Sequence, residues 1–307
     1  MSKARRGIYA AAVSPFGPQG DVDAAKLTAY CRHLVTDGGC DGVAPTGTTG
    51  EGNSISARDR LALPEAFAAA RFASDQVIFG TGACAAGDAV AYTRAAVGAG
   101  FPNVLVLPPF YYKNPSDDGL YAYYARLIDQ VKSDALRIYL YHFPQMSATP
   151  LSPDLVARLK TDFGPLIAGL KDSSGDFEQS LAFVKATGGI DADFDVYPSS
   201  EAMVFDALNA KCAGIISGST NAFGALVRAA LDADGVTRSE AFEQVKAARA
   251  TAAKYPLMAA MKQLEAWRSG DDSWVRMAPP LIELNDSQKR ALRADLDTLQ
   301  ATQTAAQ

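Results

Sequence analysis

The chain has 307 residues, enough for one large domain or two ordinary ones, of which 48% are hydrophobic and 21% charged. Its net charge is -5 and its isoelectric point is near 5.1. This balance argues against a polyanion partner, because nucleic-acid binding needs a basic face to neutralise phosphates, and the longest basic cluster, Lys3-Ala4-Arg5-Arg6, reads as a solvated tail.

Along the chain, short apolar runs, usually following a glycine, alternate with longer segments of helical period. Strands are expected over 7–14, 42–44, 76–80, 103–107, 137–141, 167–171, 194–198 and 214–217. Helices are expected over 24–36, 57–72, 87–97, 118–132, 153–160, 176–186, 201–210 and 225–233. The first helix sets Leu27, Tyr30, Cys31, Leu34 and Val35 on one stripe. Ser152 before Pro153 is an N-cap followed by proline at the first helical position. Val104-Leu105-Val106-Leu107 is a continuous apolar run, the pattern of a parallel strand buried on both faces.

Eight such units within residues 1–234 predict an α/β fold, a (β/α)8 TIM barrel. A doubly wound open sheet is the competitor, but no sequence break divides the chain into two halves. Beyond Asp234 the strand signal stops. Residues 239–267 and 287–299 read as helices, separated by Gly270-Asp271-Asp272 and Pro279-Pro280. Residues 235–307 are therefore expected to form a C-terminal helical extension, packed on the barrel or on a neighbouring subunit, with 301–307 frayed.

A barrel of this kind carries its chemistry at the C-terminal strand ends. The sixth strand ends in Lys171. Shielding an amine from water favours its neutral form, which is the nucleophile that attacks a ketone. The ordinary alternative is a lysine that snorkels to solvent or pairs with Asp172. After the second strand comes Pro45-Thr46-Gly47-Thr48-Thr49-Gly50-Glu51-Gly52, whose N–H groups and hydroxyls can hold a carboxylate. It also reads as a plain glycine-rich loop, and it is not a phosphate loop, since no Gly-Lys-Ser/Thr follows. The fifth strand delivers Tyr141, then His142-Phe143-Pro144. A tyrosine there can shuttle protons or simply fill the core. The fourth strand leads into Pro108-Pro109-Phe110-Tyr111-Tyr112, suited to loop or interface packing.

Four segments act together: Gly47-Thr48-Thr49-Gly50-Glu51; Pro109-Phe110-Tyr111-Tyr112 with Gly119-Leu120; Tyr141-His142-Phe143-Pro144; and Gly169-Leu170-Lys171-Asp172-Ser173-Ser174-Gly175-Asp176. In this order and register the chain resembles the dihydrodipicolinate synthase/N-acetylneuraminate lyase family of class I pyruvate aldolases, over residues 7–221. The resemblance implies that Lys171 forms a Schiff base with pyruvate and that Tyr141 shuttles protons. It implies that Thr49, beside Gly47, holds the keto-acid carboxylate, and that Thr48 relays protons. Tyr112 would complete the relay from a neighbouring subunit, which implies a homo-oligomer, a dimer or tetramer. No cofactor is implied beyond the covalent imine.

Departures from the family pattern bear on the substrate. True dihydrodipicolinate synthases resemble one another in an arginine that grips the carboxylate of aspartate semialdehyde, and here that position falls at Met146. A thioether cannot replace the two parallel bonds of a guanidinium. His142 stands where the motif usually has asparagine. An apolar residue at 146 looks more like the sugar-acid branch. Neuraminate lyases carry an Asp-Glu pair after the seventh strand, whereas this chain has Ser199-Ser200-Glu201, so Glu201 matches and the aspartate does not. Ser217, at the end of the eighth strand, can bond a hydroxyl. The expected activity is a lyase for a 2-keto-3-deoxy sugar acid or a 4-hydroxy-2-keto acid. Alternatives are dihydrodipicolinate synthesis, a keto-deoxy-sugar-acid dehydratase, and a non-catalytic keto-acid-binding module.

Other classes fare worse. A metal site needs a ligand cluster, yet the chain has only two histidines, His33 and His142, so no metal is expected. Gly80-Thr81-Gly82-Ala83-Cys84-Ala85-Ala86-Gly87 follows a strand, but its third glycine comes too late for a dinucleotide loop. Cys31, Cys40, Cys84 and Cys212 lie far apart, without a C-x-x-C pair. No stretch reaches the ~20 apolar residues of a membrane span, and the N-terminus lacks the pattern of a signal peptide. A reduced cytoplasm is the expected compartment.

Overall fold

Residues at alternate positions along each strand face opposite sides of the sheet. The computed structural model describes residues 3–305. Its parallel strands are β1 (Gly7–Ala10), β2 (Gly42–Val43), β3 (Phe79–Gly80), β4 (Asn103–Val106), β5 (Arg137–His142), β6 (Ile167–Asp172), β7 (Asp195–Pro198) and β8 (Gly214–Ser217). One ladder runs β2-β1-β8 and the other β3-β4-β5-β6-β7. Val43 pairs with Val77 across one gap, and the Val43 carbonyl accepts from the Ile78 N–H at 3.0 Å. Across the other, the Ala213 N–H donates to the Val196 carbonyl at 2.9 Å. The sheet thus closes into a (β/α)8 barrel.

The alternation, interrupted once in β6 where the register against β5 shifts between Ile138 and Tyr139, sorts the side chains into two cores. Tyr9, Ala11, Ile78, Leu105, Tyr139, Ala168, Tyr197 and Ile216 fill the lumen. Ile8, Ala10, Val104, Val106, Ile138, Leu140, Leu170 and Ile215 face the helices. Glycine is required at position 169, where an added Cβ would stand 2.3 Å from the Asp195 carbonyl oxygen and 2.8 Å from the Tyr139 ring.

The outer helices are α1 (Ala24–Thr36), α2 (Ala57–Ala69), α3 (Ala86–Gly98), α4 (Asp117–Val131), α5 (Pro144–Ser147), α6 (Pro153–Phe163), α7 (Phe177–Thr187), α8 (Val204–Asn209) and α9 (Thr220–Asp232). The hydroxyls of Ser56, Ser116 and Ser152 accept from the backbone N–H of Asp59, Gly119 and Leu155, fixing the starts of α2, α4 and α6. Then follow α10 (Gly235–Ala252), α11 (Leu257–Ser269) and α12 (Asp286–Ala305). No helix among the described residues is long and apolar enough to cross a membrane.

Several expectations need correction. Residues 239–267 form two helices rather than one, because Pro256 interrupts the hydrogen-bond ladder and stands at the start of α11. The one-turn helix α5, absent from the expected elements, occupies 144–147, and α9 begins at Thr220 rather than at 225. The Lys3-Ala4-Arg5-Arg6 cluster is tied down by ion pairs, although the Arg5 and Arg6 side chains stay about half exposed. Lys3 Nζ and Arg6 Nε lie 3.1 Å and 2.9 Å from the fully buried Asp195 carboxylate, and Arg5 Nε lies 2.7 Å from Asp75. A buried carboxylate needs cationic partners, and these residues supply them at the N-terminal end of the barrel. The Tyr197 hydroxyl adds a bond to the Arg5 carbonyl at 3.0 Å. At the other terminus α12 continues to Ala305, and the rest of the expected frayed end lies outside the described residues.

The helical extension shares the outer core: Val245, Ala252, Ala260, Met261 and Leu292 are buried in it. It is also pinned to the C-terminal mouth of the barrel. Lys262 of α11 pairs with Glu51, and both side chains are fully buried. Lys262 Nζ donates to the Arg276 carbonyl at 2.6 Å and lies 4.4 Å from the centre of the Phe16 ring. The second Glu51 oxygen accepts from the Ala278 N–H at 2.8 Å.

Candidate active site

Tyr141 and Lys171 are paired in the register of β5 and β6, close to the C-terminal ends of both strands. Lys171 is 4% exposed, and its Nζ stands 4.7 Å from the centre of the Tyr141 ring. Among the described residues its amine has no carboxylate partner and no hydrogen-bond acceptor. The neighbouring Asp172 is engaged elsewhere: its oxygens accept from the Ser174 N–H at 2.9 Å and the Ser180 hydroxyl at 2.6 Å. The ordinary alternative of a Lys171–Asp172 pair is therefore absent. Phe143 stacks on Tyr141 with 5.8 Å between ring centres. The Tyr141 hydroxyl donates to Thr48 Oγ1 at 3.4 Å.

Thr48 belongs to a compact turn. The Glu51 and Gly52 N–H groups donate to the Thr48 and Gly47 carbonyls, each at 3.0 Å. Thr46 and Glu51 hold left-handed backbone angles, φ 59 and φ 55. Such angles are costly for residues with side chains and persist only where the surroundings enforce them. Here the Thr46 hydroxyl is bonded to the Gly80 carbonyl at 2.9 Å, and the Glu51 side chain is held by Lys262. At Gly52 a Cβ would come 1.9 Å from the Thr46 carbonyl, so the turn closes only on glycine.

These groups open onto a cavity of about 490 Å³, within the range of small-molecule sites. Of the residues expected from the sequence, Lys171, Tyr141, Thr48, Thr49 and Met146 line it. Gly47 lines a smaller recess beside it, together with Thr48 and Tyr141. Three do not reach the cavity. Ser217 follows the outward-facing Ile215 in the strand alternation, and its Oγ lies 3.4 Å from Ser219 Oγ. Glu201 is 1% exposed, with Oε2 3.9 Å from Arg249 Nε. Tyr112 is 78% exposed and packs edge-on against Tyr111, outside this lining.

Other lining residues were not expected: Ser200, Gly218, Leu257, Met258 and, most consequentially, Arg249 of α10. Its sequence trace is faint, one long cation set among Ala247, Ala248, Ala250, Ala252 and Ala253.

Both histidines are accounted for by packing. His142 Nδ1 accepts from the Leu151 N–H at 3.0 Å, and its ring meets Phe183 edge-on at 5.2 Å. Burial holds its pKa below the usual histidine value, against the opposing charge of Asp172. His33 pairs with Asp37 at 3.1 Å.

A barrel that gathers an amine, a phenol and a threonine turn at its strand ends has the makings of a carbon–carbon lyase of the class I aldolase type, and the comparisons with known proteins bear out that class. The Dihydrodipicolinate synthetase family model matches residues 4–299, and the chain belongs to this family. It is 35% identical over 302 residues to an "Uncharacterized DapA-like lyase" of Chloroflexus aurantiacus, covering 97% of this chain and 98% of that protein. It is 30% identical to a 4-hydroxy-tetrahydrodipicolinate synthase of Parasynechococcus marenigrum, over 96% of this chain and 95% of the relative. The crystal structure of dihydrodipicolinate synthase from Agrobacterium tumefaciens superposes with a TM-score of 0.85 at 31% identity, covering 96% of this chain and 99% of that one.

Proposed function

We propose that Lys171 forms an imine with a 2-keto acid, and that the enzyme cleaves or forms a 2-keto-3-deoxy sugar acid or a related 4-hydroxy-2-keto acid. One observation carries the reading: the buried Lys171 amine has no acceptor among the described residues and faces Tyr141 across 4.7 Å. An amine held in no ion pair and no hydrogen bond is free to approach a keto carbon.

In the cleavage direction the amine adds to that carbon, and the carbinolamine loses water to give a protonated imine. The bond between C3 and C4 then breaks. Its electrons enter the enamine, while the C4 hydroxyl gives up its proton as the leaving aldehyde forms. Protonation at C3 and hydrolysis release pyruvate and regenerate the amine. Tyr141, bonded to Thr48, moves protons at the carbinolamine and at the C4 oxygen. Thr49 and the N–H groups of its turn hold the keto-acid carboxylate. Tyr112, exposed here, completes the relay from a neighbouring subunit in a dimer or tetramer.

Met146 gives aspartate semialdehyde no guanidinium at the position where the synthases carry one, which supports a 2-keto-3-deoxy or 4-hydroxy-2-keto acid instead. The names of the relatives favour a second reading, 4-hydroxy-tetrahydrodipicolinate synthesis. Purified enzyme incubated with a panel of 2-keto-3-deoxy acids separates the possibilities. Pyruvate release is the expected result. Condensation of pyruvate with aspartate semialdehyde, and no cleavage, supports the second reading. Loss of water without pyruvate indicates a dehydratase, and binding without turnover a non-catalytic module.

A further inference from the structure

Resting on the imine reading, we propose that Arg249 recognises a second anionic group at the far end of the substrate, so that the preferred keto acid is a diacid rather than a neutral-ended chain. Lys171 and Arg249 are the charged side chains that line the cavity, and among the described residues no aspartate or glutamate lines it. Arg249 comes from α10, outside the barrel's own strand ends, and its side chain is 28% exposed. A guanidinium has five N–H donors and no acceptor. Arg249 Nη1 uses one, donating to Ser219 Oγ at 2.9 Å.

Glu201 holds this side chain without satisfying it. Its Oε2 lies 3.9 Å from Arg249 Nε, beyond hydrogen-bond reach, and neither carboxylate oxygen has a hydrogen-bond partner. Glu201 is a positioning residue: it attracts the guanidinium from the buried side and leaves donors for the cavity. The ligand that suits those donors is acceptor-only and planar, which is a carboxylate. The Ser173, Ser199 and Ser200 hydroxyls of the lining suit hydroxyl groups along the substrate chain, while the guanidinium suits an anion at its end. Met146 leaves the arginine position of the synthases apolar, so any grip on a distal carboxylate falls to α10.

The test compares two stable keto acids of equal length, 2-oxoadipate with a distal carboxylate and 2-oxohexanoate without one. Each is incubated with the full-length enzyme and borohydride, and the concentration that half-labels Lys171 is read by peptide mass mapping, with pyruvate run alongside. The proposal expects half-labelling by 2-oxoadipate at a concentration at least about tenfold lower, the worth of one or two charge-assisted bonds. In Arg249→Gln that ratio falls toward one, and in Arg249→Lys, which keeps the charge and loses the fork, it falls part of the way. Equal half-labelling in the wild type overturns the proposal. So does labelling by pyruvate with neither longer acid, or an unchanged ratio in Arg249→Gln. Failure of pyruvate itself to label Lys171 is a different result, and it removes the imine reading on which this proposal rests.

Discussion

Lys171 and Lys262 are the same residue type under nearly the same burial, 4% and 0% exposed, in opposite surroundings. Around Lys262 the chain supplies a carboxylate, a backbone carbonyl and an aromatic face, so the amine is a tie between α11 and the threonine turn. Burial lowers its pKa, and Glu51 opposes the shift. Around Lys171 the carboxylate next in sequence, Asp172, is turned to Ser174 and Ser180, and the amine faces a ring and a cavity. Burial alone therefore does not mark a reactive lysine; on the proposed reading, the missing acceptor does. The two are also coupled, because the Glu51 that Lys262 holds belongs to the same turn as Thr48 and Thr49.

The sharpest way to break this comparison is to change each lysine in turn. Lys171→Arg keeps a cation but removes the nucleophile, and kcat for keto-acid cleavage is expected to fall by about 10⁴-fold. Turnover within tenfold of wild type would remove the imine mechanism. Lys262→Met leaves Glu51 buried without its partner, which costs about 3–5 kcal/mol in urea unfolding. Adding Glu51→Gln should restore part of that loss, and a single-variant loss below about 1 kcal/mol would show that the pair is not a tie. Tyr141→Phe keeps the ring beside Lys171 but removes the hydroxyl bonded to Thr48; a fall in kcat of about 10²-fold is expected. An unchanged rate would assign the proton transfers to another group.

The smallest effect concerns His142. Its folded pKa lies below 6.5, so below that pH the unfolded chain binds a proton that the folded chain does not. Stability should therefore decline as pH drops from 6.5 toward the folded value, by at most about 1.4 kcal/mol per pH unit. Urea midpoints at pH 7.5 and 5.5 measure this, and His142→Asn should flatten the difference.

The barrel was legible because its strands repeat one signal, an apolar run ending near a glycine or a polar turn, and the eight runs alternate with helices. Lys171 and Tyr141 stood out as polar groups at the ends of apolar strands, but position alone left each an ordinary alternative and the family resemblance supplied their roles; the structure brings both to one cavity. Ser217 shows where that logic needs the register, since shifting one residue along a strand reverses the face. Arg249 was not legible. It sits on a helix whose charges read as a solvated surface, and only the packing of α10 over the barrel mouth brings it to the cavity. The N-terminal cations misled for the mirror reason. Their partner, Asp195, begins a strand far along the chain, and sequence proximity says nothing of that contact.

Incubation with pyruvate and borohydride, followed by mass mapping of every lysine peptide, tests the central claim most directly. The account predicts one reduced pyruvate adduct, on Lys171, with Lys262 unmodified. Labelling of other lysines with Lys171 left free, or no labelling at saturating pyruvate, would contradict it.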